Sequence, residues 1–201
     1  MAKLGGFVTF LYFLALAAGI ISLILPFWSS TEVEMVNKTV TVQKKTESGL
    51  WWSRETFTIT EEALKDLNED DSWKSILDTP KDTTGVKAVK GIIVVGLGFL
   101  AIVMVLAGCT RCCSNDDNEF RMQSVFFGSG IAAIIAGILI GIGPIVYYTD
   151  VKDDYKFESG DLEWCFWTAV ASACAAVAAG IIGILGCLVS FRSAKKASIA
   201  D

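Results

Sequence analysis

The apolar residues of this chain are gathered into four long blocks, and polar residues fill the segments between them. The blocks cover about residues 7–27, 91–109, 125–148 and 164–191, and none of them contains an acidic or basic residue. Because the hydrocarbon core of a bilayer is about 30 Å thick and an α-helix rises about 1.5 Å per residue, a spanning helix needs about 20 apolar residues. The pattern therefore predicts an integral membrane protein with four transmembrane helices, which we expect to pack as a left-handed bundle.

The first block is expected to be retained as a span rather than removed as a signal peptide. It is longer than the apolar region of a signal peptide, which has about 7 to 15 residues. Its end, Leu25-Pro26-Phe27-Trp28, also lacks a small-x-small cleavage pattern.

Basic residues predict the orientation of the spans, because short segments rich in lysine and arginine stay in the cytoplasm. Segment 149–163 holds two basic residues against six acidic ones. Segment 110–124 and the two ends of the chain, including the tail 192–201, hold six basic residues: Lys3, Arg111, Arg121, Arg192, Lys195 and Lys196. We therefore expect both termini to be cytoplasmic and segments 28–90 and 149–163 to lie on the luminal or extracellular side.

Small residues recur on the blocks, as at Ala15, Ala18 and Gly19 in the first and at Gly137 and Gly141 in the third. Small side chains let helices approach closely in lipid, so we predict that they pack the four helices against one another, with self-association of the chain as the alternative. No block contains the acidic, basic or histidine side chains that proton relays and ion-coupled sites need within a membrane. The pattern therefore disfavours a pore or transporter that runs through the bundle.

The polar segment 28–90 is too long to be a simple connection. Thr39–Val42 and Phe57–Thr60 alternate at period two and are rich in β-branched residues, with a turn signal at Ser48-Gly49 between them. We expect two to four short antiparallel strands in a small extracellular sheet. After Thr60, an N-cap followed by acidic residues predicts a helix that runs to about Leu77.

Composition narrows the range of functions. The chain has 201 residues, of which 53% are apolar, a net charge of −5 and no histidine, and its mean hydropathy is +0.52. The acidic balance argues against nucleic acid as a partner. Without histidine, the commonest general base and the commonest transition-metal ligand are missing. We therefore predict no enzymatic activity, no cofactor, no metal and no small-molecule substrate, and we expect the lipid bilayer to be a partner.

Two kinds of covalent modification are predicted. Asn37 begins an Asn-Lys-Thr sequon, which can be glycosylated only outside the cytoplasm. Cys112 and Cys113 lie just after the second block, and Cys109 lies at its end, where a palmitoyl chain can reach the bilayer. The alternatives are an unoccupied sequon and unmodified, reduced thiols. Segment 28–90 contains no cysteine, which excludes a disulfide within it.

Short motifs at the ends of the blocks carry a resemblance to a known family. They are Trp28 after the first span, Gly49-Leu50-Trp51 in the first outer loop, Lys90 before the second span, Cys109-Thr110-Arg111-Cys112 after it, Tyr147-Tyr148 after the third, and Lys156-Phe157-Glu158-Ser159-Gly160 in the second outer loop. Together with the order of spans and loops, they resemble the claudin superfamily: claudins, peripheral myelin and epithelial membrane proteins, and calcium-channel gamma subunits. The resemblance covers nearly the whole chain and implies that all 201 residues form one claudin-like domain.

Two features depart from the claudin pattern. Claudins carry a pair of cysteines shortly after Gly-Leu-Trp, whereas this chain continues Trp52-Ser53-Arg54 and lacks the implied disulfide. Most claudins end in an apolar dipeptide that PDZ domains bind, whereas this chain ends Ile199-Ala200-Asp201, so we do not expect that anchoring. The resemblance is therefore to a divergent member whose first loop is stabilised in another way.

The signature residues Trp28, Gly49, Leu50, Trp51 and Lys90 are the predicted membrane anchor of the sheet. An interfacial indole keeps its ring in the boundary layer and its NH in water, as we expect for Trp28. Leu50 and Trp51 are expected to insert into the bilayer beside it. The alternative is that the loop tryptophans form the core of the sheet.

The resemblance implies a plasma-membrane protein of cell–cell junctions or adhesion sites. It implies that the protein self-associates within one membrane and with a facing one, and contributes to a paracellular barrier. Tyr147 and Tyr148 are candidate adhesive contacts, with an interfacial aromatic belt as the alternative. Segment 28–90 holds nine basic and twelve acidic residues, so a pathway that the outer loops line would tolerate cations. The second hypothesis is an auxiliary, gamma-type subunit that packs against an ion channel or receptor.

Overall fold

A computed structural model of the chain describes residues 2–25, 27–37, 40–59, 72–75, 84–112, 119–151 and 162–200. In these ranges, four long helices accompany one small sheet. The helices are α1 (Ala2–Ile24), α2 (Thr84–Cys112), α3 (Glu119–Val146) and α4 (Trp164–Ala200), a π-helical turn (Tyr147–Val151) follows α3, and the strands are β1 (Ser29–Asn37), β2 (Val40–Ser48), β3 (Trp52–Ile59) and β4 (Ser72–Ser75).

All four helices are long and apolar enough to cross a membrane, which confirms the prediction of four helices of spanning length. The candidate spans are Gly5–Ile24, Thr84–Cys109, Ser124–Asp150 and Trp164–Ser190. These spans indicate a multi-pass membrane protein.

The helices do not end where the apolar blocks end. α1 stops at Ile24 rather than at residue 27, because Pro26 disfavours helical backbone at the residue before it. α2 begins earlier than predicted, at Thr84, since Val86 and Val89 continue its buried face through the polar residues that precede the block. α4 continues past the candidate span to Ala200.

The sheet is an antiparallel meander in the order β1-β2-β3-β4. Ser29 pairs with Ser48 in the first hairpin, and Ser48 pairs with Ser53 across the next turn. Four strands, with a turn after Ser48, agree with the predicted two to four strands and with the predicted turn.

The helix predicted from Thr60 to about Leu77 is wrong at residues 72–75, which form β4. Trp73 lies opposite Arg54 on β3 in the register. An aromatic residue favours a strand, and pairing with β3 supplies the backbone hydrogen bonds, so cross-strand contacts override the local helical pattern. The rest of this prediction, residues 60–71 and 76–77, lies outside the described residues.

The chain divides into two compact units. We call Met1–Gly19, Ile92–Ile142 and Val170–Asp201 the helical unit. We call Ile20–Gly91 and Gly143–Ala169 the sheet unit. Each is described in turn.

Helices of the helical unit approach one another at glycines that leave no room for a side chain. A Cβ atom at Gly180 would lie 2.6 Å from the carbonyl oxygen of Gly130. A Cβ atom at Gly96 would lie 3.3 Å from the carbonyl oxygen of Ala136. These distances mean that α3 packs against α4, and α2 against α3, with backbones nearly in contact. Close approach of this kind is how helices associate in lipid.

A buried hydrogen bond adds to this packing between α1 and α4. The Ser172 hydroxyl donates to the carbonyl oxygen of Ala15 over 2.6 Å, and both residues are fully buried. Ala136 and Ala179 are fully buried as well. The prediction that small residues pack the helices is confirmed at these positions, whereas Gly128 lies in open space.

Large apolar side chains cover the outside of the helical unit. Phe10, Ile102 and Leu185 are each more than half exposed, at 55%, 59% and 55%. A surface of this kind is unfavourable in water and favourable against lipid acyl chains.

Candidate functional site

Trp28 lies in the sheet unit and is fully buried. Its indole Nε1–H donates to the carbonyl oxygen of Ser22 over 2.5 Å, which satisfies a carbonyl in the last turns of α1. Its backbone N–H donates to the carbonyl oxygen of Ser48 at the end of β2, over 2.9 Å, and its own carbonyl accepts from the N–H of Glu163, over 3.0 Å. One residue thus joins α1, the sheet and the segment that leads into α4.

The expectation that the Trp28 indole NH stays in water is wrong. The ring is enclosed by protein and the NH has an internal acceptor. A buried indole needs a partner for its NH, and the end of α1 supplies a carbonyl that the helix no longer uses. Trp28 therefore fixes the sheet to helix ends of its own unit instead of resting at a boundary with water.

Three further residues complete what we call the Trp28 cluster: Ser29, Tyr147 and Phe166. The ring of Tyr147 lies 4.9 Å from that of Trp28 and is tilted by 55°. The ring of Phe166 lies 6.0 Å from that of Trp28, edge to face. The hydroxyls of Ser29 and Tyr147 share a hydrogen bond of 2.9 Å. These geometries are favourable for aromatic pairs and leave the buried hydroxyls satisfied.

Tyr147 is only 2% exposed, so it offers no surface to a facing protein and the prediction of an adhesive contact is wrong for this residue. It lies in the π-helical turn that follows α3, which directs its hydroxyl to Ser29. Tyr148, at 36% exposure, remains a candidate contact.

The turn Gly49-Leu50-Trp51 lies between β2 and β3. Leu50 is fully buried, so the expected insertion of this side chain into the bilayer is wrong and it serves as core of the sheet unit instead. Trp51 is partly exposed. The Lys90 ammonium lies over the Trp51 ring, 5.1 Å from its centre, although Lys90 itself is 6% exposed.

The contact between Lys90 and Trp51 joins the sheet to the first turns of α2. A cation over an indole face is attracted by the negative face of the ring, and the attraction is larger where water is excluded. The resemblance placed Lys90 and Trp51 in one signature, and the structure brings them together. How the unit meets a membrane stays a prediction.

One ion pair lies on β2, where the Lys45 ammonium is 3.1 Å from a carboxylate oxygen of Glu47. The hydrogen bond that the Glu47 carboxylate accepts raises the pKa of Lys45 above its ordinary value. Because the Lys45 side chain is 42% exposed, water screens this pair and its contribution to stability is small.

The aromatic residues at the start of α4 are not among the predicted site residues, although Trp164-Cys165-Phe166-Trp167 contains three of them in four positions. The ring of Trp164 stacks on that of Phe27, with centres 5.7 Å apart. The Cys165 N–H donates to the Phe27 carbonyl over 3.0 Å, so the start of α4 is held against the segment that follows α1. The signal in the sequence is this group of aromatic residues at the start of the fourth apolar block, and the structure buries Phe166 while it leaves Trp164 and Trp167 exposed.

The structure describes only some of the residues at the candidate modification sites. Asn37 is the last residue of β1, and Lys38 and Thr39 of its sequon lie outside the described residues. Cys109 is an exposed free thiol near the end of α2, Cys112 is the last residue of that helix, and Cys113 lies outside the described residues. Glycosylation and palmitoylation stay predictions.

Among the described residues, no three His, Cys, Asp or Glu side chains lie close enough together to hold a metal ion. A scan against protein-family models finds no model that matches the chain. A search of curated proteins finds no match either.

Proposed function

We propose that this chain is a claudin-like cell–cell junction or adhesion protein of the plasma membrane. In this proposal the four helices form a left-handed bundle across the membrane, the sheet faces the outside and both termini are cytoplasmic. The protein contributes to a paracellular barrier or to a pathway that tolerates cations.

The observation that carries the proposal is the way the sheet is held within its own unit. The Trp28 cluster and the contact between Lys90 and Trp51 fix β2 and the turn before β3 to helix ends, without any disulfide. A protein that meets a neighbouring cell needs a sheet whose position is set by the helices, because a loosely tethered sheet forms a poor assembly interface. In this proposal the Trp28 cluster stabilises the sheet in place of the disulfide that the missing cysteine pair would form.

The sheet unit also has edge strands and a negative net charge, and both can support assembly with other chains. Among the described residues, β1 and β4 each pair with one neighbouring strand. Ser29 of β1 also forms a bridge to Leu162, so the edges to which another chain can add are β4 and the part of β1 beyond Ser29. The sheet unit as a sequence holds eleven basic and eighteen acidic residues, a net charge of −7. An acidic surface that lines a space between cells attracts cations and repels anions.

The test is expression of the tagged chain in non-adherent cells that lack junctions, with microscopy of contacts between cells. We expect the protein to be enriched where two expressing cells meet and not where an expressing cell meets a non-expressing one. A Trp28→Ala variant that still reaches the cell surface is expected to lose this enrichment, while Trp167→Ala, at an exposed position near the start of α4, keeps it. Uniform surface staining of the unmodified protein would contradict homotypic adhesion.

A second candidate function is that of an auxiliary, gamma-type subunit of an ion channel or receptor. Its support is in the helical unit, where Gly98 and Gly128 have open space around the position of a Cβ atom. Open glycines on an outer helix face allow the backbone of a partner helix to come close. Co-purification of a channel at fixed stoichiometry, lost on Gly98→Leu but kept on Leu185→Ile, is the expected result for this function.

A further inference from the structure

Most of the basic residues near one end of the helices lie at positions that continue the outward faces of those helices. The six basic residues that predicted the orientation all belong to the helical unit. The burial pattern of the described side chains tells which face of each helix is turned outward, and helical periodicity extends that face to the basic positions.

The outward face of α4 repeats at intervals of three and four residues. Its exposed members are Trp167, Ala171, Cys174, Ala178, Ile181, Leu185 and Leu188. The same spacing next reaches Arg192 and Lys195, and α4 stays helical to Ala200. Lys196 follows Val189, which is 64% exposed, by two turns. Because residues seven apart differ by only about 20° around a helix, all three basic positions lie on the outward face.

The outward faces of α3 and α1 lead to basic positions in the same way. On α3 the exposed residues are Ser124, Gly128, Ile131, Ile135 and Ile138. Extending this repeat toward the start of α3 reaches Arg121. On α1, Phe7 and Phe10 are exposed, and the position one turn before Phe7 is Lys3.

Arg111, near the end of α2, lies at a position on the inward face of its helix. It follows Ala107 by one turn and Leu100 by three, and these two residues are 1% and 0% exposed. Its position therefore continues the inward face of α2. The chain thus supplies five outward basic positions and one inward position at comparable helix ends.

We propose that Lys3, Arg121, Arg192, Lys195 and Lys196, the outward basic set, bind the headgroups of anionic phospholipids around the helical unit. A lipid whose acyl chains lie against an outward apolar face meets a basic position at the level of its headgroup, where the apolar face ends. Long lysine and arginine side chains reach such headgroups while their stems stay against apolar surface, and arginine can bind two phosphate oxygens at once. A phosphatidylserine-type headgroup carries the net negative charge that phosphatidylcholine lacks.

The experiment uses the full chain in nanodiscs of phosphatidylcholine and phosphatidylserine, with a trace of either lipid spin-labelled. The motionally restricted fraction in electron paramagnetic resonance gives the preference of the protein surface for one lipid over the other. We expect a preference for phosphatidylserine on the order of fivefold, the factor that one basic residue near an anionic surface contributes. Molar salt and the five-site glutamine variant are each expected to bring it close to equality.

The matched pair Arg192→Gln and Arg111→Gln separates position from net charge, because each removes one positive charge from one helix end. Arg192→Gln is expected to lower the preference, Arg111→Gln to leave it unchanged, and Arg192→Lys to retain it. Equal restriction of both lipids by the unmodified protein overturns the proposal, and so does an equal loss in the Gln variants of Arg192 and Arg111. Unfolding midpoints that match the unmodified protein show that each variant is folded.

Discussion

In the helical unit the closest approaches join backbones, as where a Cβ atom on Gly180 would lie 2.6 Å from the Gly130 carbonyl. In the sheet unit the contacts join large rings, with Trp28 fully buried among Tyr147 and Phe166. Helices in lipid gain little from burying apolar side chains, so dispersion contacts between close backbones hold them together. At helix ends, unpaired carbonyls need hydrogen-bond donors, and the sheet needs apolar contacts. Side chains that combine apolar area with a polar group supply both.

This difference implies opposite sensitivities to mutation. The helical unit should tolerate loss of an outer side chain and fail when a methyl group is added at a backbone contact. The sheet unit should fail when a ring is removed. The following substitutions test the contrast, from the largest expected effect to the smallest.

Trp28→Ala is expected to lower the stability of the protein by about 3–5 kcal/mol, the usual cost of removing a buried tryptophan. The ring is fully buried and its NH satisfies the Ser22 carbonyl, so both packing and a hydrogen bond are lost. The change is measured as the shift of the unfolding midpoint in detergent, with size-exclusion chromatography of heated samples as the readout. Trp167→Ala is the control, since Trp167 is 57% exposed. A similar loss in both variants would contradict the special role of Trp28.

Gly180→Ala is expected to lower stability by about 1–3 kcal/mol, the typical cost of overpacking. The added methyl group meets the Gly130 carbonyl, a backbone atom that cannot rotate away. Gly128→Ala adds the same methyl group where nothing lies within 4 Å, and alanine should stabilise that helix by about 0.5–1 kcal/mol. Unfolding midpoints of the two variants should therefore move in opposite directions; a fall in both would show that helix packing is not specific to these contacts.

Much of this contrast could be predicted from the sequence, but not all of it. Four uncharged blocks specify four spanning helices because the length of a helix across lipid is fixed by geometry. The burial of Trp28 and Tyr147 could not be predicted, because it depends on Ser22 and Ser29, which carry no distinctive pattern and meet these rings only in the fold. β4 could not be predicted either, since its pairing with β3 is a non-local contact.

Tyr147→Phe is expected to cost about 1 kcal/mol, because it leaves the buried Ser29 hydroxyl without this partner. A double-mutant cycle with Ser29→Ala should give a coupling of at least about 0.5 kcal/mol in unfolding experiments. Tyr148→Phe, at the neighbouring position, provides the comparison and should cost less than Tyr147→Phe, because the Tyr148 side chain is 36% exposed and water can replace a lost contact there. Additive effects of Tyr147→Phe and Ser29→Ala would contradict the hydrogen bond.

The smallest effect is expected for Lys45→Met, because exposed ion pairs contribute about 0–1 kcal/mol. Glu47 raises the pKa of Lys45 in the folded state, so the contribution is fully present below the ordinary lysine pKa. It is lost as the pH rises through the raised pKa. The difference between Lys45→Met and the unmodified protein should therefore be measurable at pH 8 and should shrink in strongly alkaline buffer. A difference that grows with pH would have the wrong sign for this ion pair.

The most direct test of the account asks on which side of the membrane each region lies, by labelling introduced cysteines with a membrane-impermeant maleimide. Glu32→Cys places a thiol on an exposed residue of β1, and Lys196→Cys places one near the end of α4. The unmodified chain, with its native cysteines, sets the background. The account predicts that intact cells label the cysteine at position 32, whereas the cysteine at position 196 is labelled only after permeabilisation. Labelling of both positions in intact cells, or of position 196 alone, would contradict it.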